Sequence, residues 1–511
     1  MKKLYALALL VVAAFAFRAV VFWGYLAHDN RYWQVDTATY ETLAQELAVN
    51  NRFATPDGTP NVYRLPGYPL FLATVYKVVN NPLAALWVQI FLASFIPLLV
   101  FFLAGVLFPG RRRTAWAAAL ITTVHLGYVL YAGFMMTETL FLLFFLGFLI
   151  VFFRVALLAG RRNPKHSDSV ICSNSTSAAR FYDLLALNPA ARGQAFVQFY
   201  DDMIEPEIAY ACCMRHPEDS DGLEIFFAGM LLGLASLIRP VGHYLMIVAA
   251  VILLFAGRDR FKQLGECVVL SFGWFVVVGA WLLRNALLFG HVFFHTLPGG
   301  HFLYLSAARV VAADQNISYQ KARAQLRSII QEREAAAIEN MGRKLDQYEV
   351  CSLHEKLAIE TFRHAPLTAL KFWVQDMART TLSLYSAELL YLESARNQIP
   401  YFATGRPIKD WFMRYLQPQT DKLWLKILIW SETLFHLLLL LGTTLFCVRA
   451  LLRRSYRAVN VFWLVMPFAA LFVVLALSGG YARMRLPMEF LMIILACSIF
   501  FKNHESIEEK V

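Results

Sequence analysis

Apolar runs dominate the chain. Long stretches almost free of charge recur along it, divided by short polar turns, which is the pattern of membrane-crossing helices and not of alternating strands. A helix that crosses ~30 Å of hydrocarbon takes about 20 apolar residues. On that measure the sequence predicts ten spans, near 5–27, 83–108, 115–132, 138–158, 224–238, 241–256, 266–289, 424–449, 458–477 and 487–501. A half-buried segment near 68–79 would add an eleventh element at the outer surface. The first run follows Lys2 and Lys3 and lacks a small-residue cleavage site, so it reads as an uncleaved signal anchor.

The polar turns then set a direction. Lys2, Lys3, Arg111 to Arg113, Arg161, Arg162, Arg258, Arg260, Lys262, Arg449, Arg453, Arg454, Arg457 and Lys502 all fall on one side of a ten-span alternation. By the inner-face excess of Lys and Arg, that side is cytoplasmic, and both termini lie there. The chain divides into an N-terminal membrane half with its first outer loop (1–162), a cytoplasmic acidic insertion (163–222), membrane helices (223–289), an outer helical region (290–423) and C-terminal membrane helices with a tail (424–511). The insertion carries four Lys/Arg against nine Asp/Glu. Within the outer region, 317–363 is rich in helix formers; Pro366 interrupts it, and Leu367 to Leu390 reads as an amphipathic stretch on the membrane surface.

Composition narrows the class. Of 511 residues, 58% are hydrophobic and only 16% charged, against about 25% charged in a soluble domain. This excludes a soluble enzyme, a disordered chain and a secreted disulfide scaffold, and leaves an all-α polytopic membrane protein. The net charge of +11 then reflects orientation and is no argument for nucleic acid. The seven cysteines show no metal-ligand spacing and read as free or core thiols. Asn174-Ser175-Thr176 and Asn316-Ile317-Ser318 fit the glycosylation tripeptide, which arises often by chance, and the first lies on the wrong face.

Ionisable residues near membrane depth are functional candidates by default, and here they collect on the outer side. Asp29 and Asp36 follow the first span, Glu138 opens the fourth, Arg239 sits in the turn before Pro240, Arg284 and Asn285 end the seventh, and Arg483, Arg485 and Glu489 flank the last. Acids at that level suit deprotonation of an acceptor hydroxyl or the holding of a divalent cation. Arginines suit a bidentate grip on phosphate and stabilise it as it leaves. No nucleoside triphosphate pool exists outside the membrane, so an activated group must arrive on a lipid.

The stretches Val35-Asp36-Thr37-Ala38-Thr39-Tyr40 and Tyr63-Arg64-Leu65-Pro66-Gly67-Tyr68-Pro69, followed by Thr137-Glu138, Leu237-Ile238-Arg239-Pro240, Trp281-Leu282-Leu283-Arg284-Asn285 and Arg483-Met484-Arg485-Leu486-Pro487, come in an order that resembles the GT-C superfamily of integral-membrane glycosyltransferases. The nearest branch is the family 39, dolichyl-phosphate-mannose-protein mannosyltransferase-like type of bacterial protein. The resemblance implies a GT-C fold, a polyprenyl-phosphate sugar donor, a protein or glycolipid acceptor and an inverting transfer on the outer face of a bacterial-type plasma membrane. It matches Asp36 to the essential acid, which would act as general base on the acceptor hydroxyl, here with Thr37 where a second acid is common, and Glu138 to a supporting acid. Arg64, Arg239, Arg284, Arg483 and Arg485 would bind the donor phosphate, and Tyr40, Tyr63 and Asn285 would line the substrate. The insertion at 163–222 has no counterpart in the family pattern.

Plainer roles stand beside these. Asp36 is a preferred N-cap for a helix starting at Thr37. Glu138 suits a helix N-terminus. Arg64, Arg239 and Arg284 suit snorkelling to headgroups. Arg483 and Arg485, two apart in an extended loop, would point oppositely. Glu489 suits an i,i+4 pair with Arg485, Arg18 a buried structural partner inside the first span, Asp29 a solvated loop, and Tyr40 and Tyr63 the aromatic belt. His291, His295 and His301 lack a compelling metal spacing. The rival functions are a transporter or flippase of a lipid-linked sugar, and a ligase or polymerase of whole glycans.

Overall fold

A computed structural model describes residues 2–161, 221–256, 259–394, 417–418, 420–453, 456–475 and 480–501. The acidic insertion, but for its last two residues, lies outside the described residues, as do Cys172, Cys212, Cys213 and the Asn174 tripeptide. Cys267, Cys351, Cys447 and Cys497 are free thiols. Among the described residues there is no strand beyond an isolated bridge between Ala54 and Pro60.

The first half holds α1 (Lys2–Val21), continued by a π-turn at Phe22–Leu26, then α2 (Thr37–Asn50), α3 (Gly67–Val78), α4 (Pro82–Ala93), α5 (Ile96–Leu107), α6 (Arg112–Val124), α7 (Leu126–Gly133) and α8 (Glu138–Arg161). After the insertion come α9 (Asp221–Ile238), α10 (Val241–Ala256) and α11 (Arg260–Phe289). The segment 290–423 contains α12 (Leu297–His301), α13 (Ala308–Asp314), α14 (Tyr319–Met341), α15 (Gln347–His364), α16 (Pro366–Leu382) and α17 (Ser386–Glu393). The chain closes with α18 (Leu423–Arg453), α19 (Tyr456–Val474) and α20 (Ala482–Phe500).

A helix stands at each of the ten expected spans. Five stretches are long and apolar enough to cross a membrane, Leu4–Leu26, Pro82–Leu107, Glu138–Leu157, Arg260–Phe289 and Leu423–Leu452. A sixth is α6 with α7, bent by 48° at His125, whose ψ of 122° breaks the helical path. Gly222–Ile238, Val241–Ala256 and Val459–Val474 are shorter apolar helices. The protein is therefore a helical, multi-pass membrane protein.

Three expectations change. The helical stretch 317–363 is two helices, because Gly342 takes a left-handed φ of 65° that glycine adopts without a Cβ clash. Asp346 then restarts the chain with a capping box to Glu349. The stretch 367–390 breaks after Leu382, where Ser383 is extended. The last helix begins at Ala482, not at 487, so Arg483 and Arg485 stand on a helix and not in an extended loop. Pro487 lies close enough to the start to remove only one ladder bond.

Between lipid-facing helices there is no solvent-driven burial, so packing and internal hydrogen bonds must hold the bundle. The centre is α20, with every residue from Arg485 to Ser498 buried. Beside it α8 stacks Phe141, Phe145, Phe148 and Phe152 in succession, and Phe468 and Phe472 of α19 meet them edge-on. Such aromatic pairs give about 0.5–1.5 kcal/mol each beyond their buried area. Arg18 is buried in α1 and donates to the carbonyls of Ala14, Thr122 and Thr123, the structural partner its position called for. Within 290–423, Leu303, Leu326, Ile330 and Leu357 form a second small core.

Candidate active site

The turn after α1 is tied to the loop before α8. Thr37 donates its hydroxyl to the Met135 carbonyl at 3.1 Å, and the Met135 N–H donates to the Tyr32 carbonyl at 3.1 Å. These bonds put residue 36 next to residue 138 although 102 positions separate them. Asp36 occupies the position before α2 but makes no capping hydrogen bond. Its oxygens face two arginines instead: Oδ1 accepts from Arg64 Nη2 at 2.7 Å and Oδ2 from Arg483 Nη1 at 2.9 Å.

Arg64 is held on three sides. Its Nε donates to Thr39 Oγ1 at 3.1 Å and its Nη1 to Tyr40 Oη at 3.3 Å. Its guanidinium carbon lies 4.8 Å from the Tyr40 ring centre and 5.0 Å from that of Tyr63. Arg483 bridges the two acids, donating through Nε to Glu138 Oε1 as well as to Asp36. Glu138 is fully buried. Arg239, in the turn between α9 and α10, places Nη1 3.0 Å from Glu138 Oε1, but off the hydrogen-bond direction, so this buried nitrogen has no hydrogen-bond partner.

Seven of the ten candidate residues thus meet: Asp36, Glu138, Arg64, Arg239, Arg483, Tyr40 and Tyr63. Two carboxylates against three guanidiniums leave one formal positive charge. Burial acts to raise the Asp36 pKa, but Arg483 and Arg64 outweigh it and hold the carboxyl well below the usual range.

The other three stand elsewhere. Arg284 donates to Asn285 Oδ1 at 2.9 Å and to the Phe53 carbonyl at 3.1 Å, with its carbon 4.8 Å from the Trp281 ring centre. Asn285 is fully buried and donates to the Phe293 carbonyl at 2.9 Å. Together they fasten the 53 loop and the 293 turn to the end of α11. Arg485 points away from Arg483. It donates to Glu489 Oε2 at 2.5 Å, to the carbonyls of Thr380 and Thr381 at 2.7 and 2.8 Å, and to the Ser383 carbonyl at 3.0 Å. The i,i+4 pair is therefore present, inside the core. Asp29 is a loop acid, its side chain 81% exposed, 3.5 Å from Arg31.

Sequence reasoning missed two neighbours of the cluster. His301, weighed only as a metal ligand, lies within electrostatic reach of Asp36, Arg64 and Arg483, and burial lowers its pKa. Glu388, on α17, accepts from Tyr131 Oη at 2.9 Å and lies within electrostatic reach of Arg483 and Glu138. The Ser386-Ala387-Glu388 stretch carries no local signal that would have singled it out. Among the described residues, no three His, Cys, Asp or Glu side chains gather as a metal-binding set.

No family model matches the sequence, and no curated protein matches it. Among solved structures, the chain is similar to the archaeal oligosaccharyltransferase AglB from Archaeoglobus fulgidus in complex with an inhibitory peptide and a dolichol-phosphate, with 14% identity and a TM-score of 0.48 over 97% of this chain and 50% of that one. It is also similar to the Archaeoglobus fulgidus oligosaccharyltransferase in its apo form, with 13% identity and a TM-score of 0.47 over 97% and 50%. The chain spans about half the length of these proteins.

Proposed function

We propose that this protein is a membrane glycosyltransferase of the GT-C type, which moves a sugar from a polyprenyl-phosphate donor to an acceptor hydroxyl at the outer face of a bacterial-type plasma membrane, with both termini cytoplasmic. One observation carries this reading: three arginines and two acids from five separate chain segments converge on one cluster that keeps a net positive charge and a buried guanidinium nitrogen with no hydrogen-bond partner. A polyprenyl-phosphate sugar is a phosphodiester with one negative charge, which suits that unpartnered donor.

Arg239 and Arg64 grip the phosphate and stabilise it as it leaves. Tyr40 and Tyr63 line the sugar side. Asp36, matched to the essential acid by the family resemblance, stays ionised between Arg64 and Arg483 and fixes the position of both guanidiniums, and with them the phosphate and the line of attack on the anomeric carbon. An in-line attack inverts that centre. A divalent cation at Asp36 would meet the like charge of Arg64 and Arg483, one of which already donates to each of its oxygens. The acceptor, a protein or a glycolipid, would be selected by the outer region over 290–423.

The test is transfer from a panel of polyprenyl-phosphate monosaccharides by membranes carrying the wild type or Asp36→Asn. Transfer by the wild type and a loss of ~100-fold or more in the variant, the scale of one oriented polar group, is expected. Equal transfer by both would sink the role of Asp36. Movement of intact lipid-linked sugar across the bilayer would instead indicate a transporter, and use of whole lipid-linked glycans alone would indicate a ligase.

A further inference from the structure

Glycosyl transfer to a hydroxyl must dispose of a proton, and the two acids at the centre of the cluster are poorly placed to take it. Both Asp36 oxygens accept from guanidiniums. Glu138 Oε1 faces Arg483 and Arg239, and its side chain is closed to solvent. Protonating either would break those ion pairs.

Glu388 differs. It is partly buried at the first turn of α17, and α17 is fixed from below by Glu432 of α18, whose carboxylate accepts from the backbone N–H groups of Tyr385 at 2.6 Å and Ser386 at 2.8 Å. Its Oε1 is aimed by the Tyr131 hydroxyl. Tyr131 is itself held by its carbonyl, which accepts from Thr139 Oγ1 at 3.2 Å, and Gln89 ties the same turn by donating to the carbonyls of Ala132 and Phe134 at 2.9 and 2.7 Å. Among the described residues Glu388 has no arginine or lysine in ion-pair contact, and its one hydrogen-bond partner is a neutral phenol.

We infer that Glu388 is a further catalytic residue of the proposed transfer, the carboxylate that takes the acceptor's proton. The inference rests on the glycosyltransferase reading. As the acceptor oxygen bonds the anomeric carbon, its O–H bond breaks and the proton goes to Glu388. The bond from the anomeric carbon to the phosphate oxygen breaks, and its electron pair leaves with the polyprenyl phosphate, toward Arg239 and Arg64.

The groups facing Glu388 set its proton affinity. Burial raises its pKa above the usual carboxylate value and Glu138 of α8 adds to this, while the Tyr131 hydrogen bond from α7 and the charge of Arg483 on α20 oppose it; Tyr481 also lies within electrostatic reach. A general base works best with a pKa close to the operating pH, and of the three acids Glu388 alone combines a raised pKa with freedom from an ion pair among the described residues. The base must be ionised, so the rate falls as pH drops through its pKa, above the ordinary glutamate value of about 4.3.

The experiment uses the full chain in proteoliposomes and reads release of polyprenyl phosphate from the same donor panel across pH. For Glu388→Gln, kcat falls ~100-fold or more, KM for donor changes little and the acid limb disappears, while Glu388→Asp restores part of the rate. Tyr131→Phe keeps most of the rate but moves the acid limb to higher pH, because it removes a bond that favours the ionised form. Labelling by a polyprenyl-phosphate photoprobe shows that the variants are folded. Wild-type kcat and an unchanged acid limb in Glu388→Gln overturn the assignment alone. A wild type that releases no polyprenyl phosphate from any donor overturns the glycosyltransferase reading, and the assignment with it.

Discussion

Asp36 shows how a residue's chemistry is settled by its partners. Its sequence position suits an N-cap, yet the side chain leaves the helix N–H groups unserved and turns to Arg64 and Arg483. Its pKa is lowered, so it stays ionised at every pH above the unfolded value of about 3.9. The factor by which Asp36→Asn slows transfer is therefore expected to be constant from about pH 5 to 8; a factor that shrinks toward pH 5 would show that Asp36 titrates there. Arg483 is the other decisive residue. Its fork spans two carboxylates at once, which a lysine point charge does not reproduce, so Arg483→Lys is expected to lose most activity while Arg284→Lys, whose partners are Asn285, Phe53 and Trp281, keeps it. Arg485 belongs to stability. Arg485→Met leaves Glu489 buried without its main partner, and removal of one partner from a buried pair costs about 3–5 kcal/mol. A clear fall in the detergent melting temperature checks this, and an unchanged midpoint would refute it.

At the scale of elements, the helices were legible because a 20-residue apolar run has few other uses, and α8 and α11 stand where the runs predict them. Their ends were less legible. The start of α20 was hidden by Arg483, Arg485 and Pro487, which look like loop residues until their partners on α8, α16 and the 36 turn are known. The break between α14 and α15 depended on a single glycine inside an otherwise helical stretch. Close packing between helices was also invisible: Gly273 of α11 lies against the Phe226 carbonyl of α9, and an added Cβ would fall on that oxygen. Gly273→Leu is expected to push α9 and α11 apart and lower the yield of folded protein from membranes. Gly265→Leu, on the same helix with open space around it, is the control that keeps its yield.

At the scale of the whole molecule, the proposed orientation makes a direct prediction. Glu332 of α14 and Arg113 of α6 are both exposed and belong to opposite sides of the membrane in the ten-span reading. A cysteine at 332 should react with an impermeant maleimide in intact cells, and one at 113 only after permeabilisation; the reverse pattern would invert the topology. The sequence by itself determined the solvent of this protein, its helical class and the short set of charges that lipid would not tolerate without cause, because hydropathy and charge are properties of each residue and its near neighbours. It did not determine which of those charges meet. Arg483 and Arg485 are two residues apart, yet one closes the candidate site and the other locks the core. Glu388, unremarked in the sequence, comes to the cluster through α17, whose place is set by Glu432 and Tyr131. Such assignments depend on helix rotation and on contacts hundreds of residues apart, and those exist only once the bundle is packed.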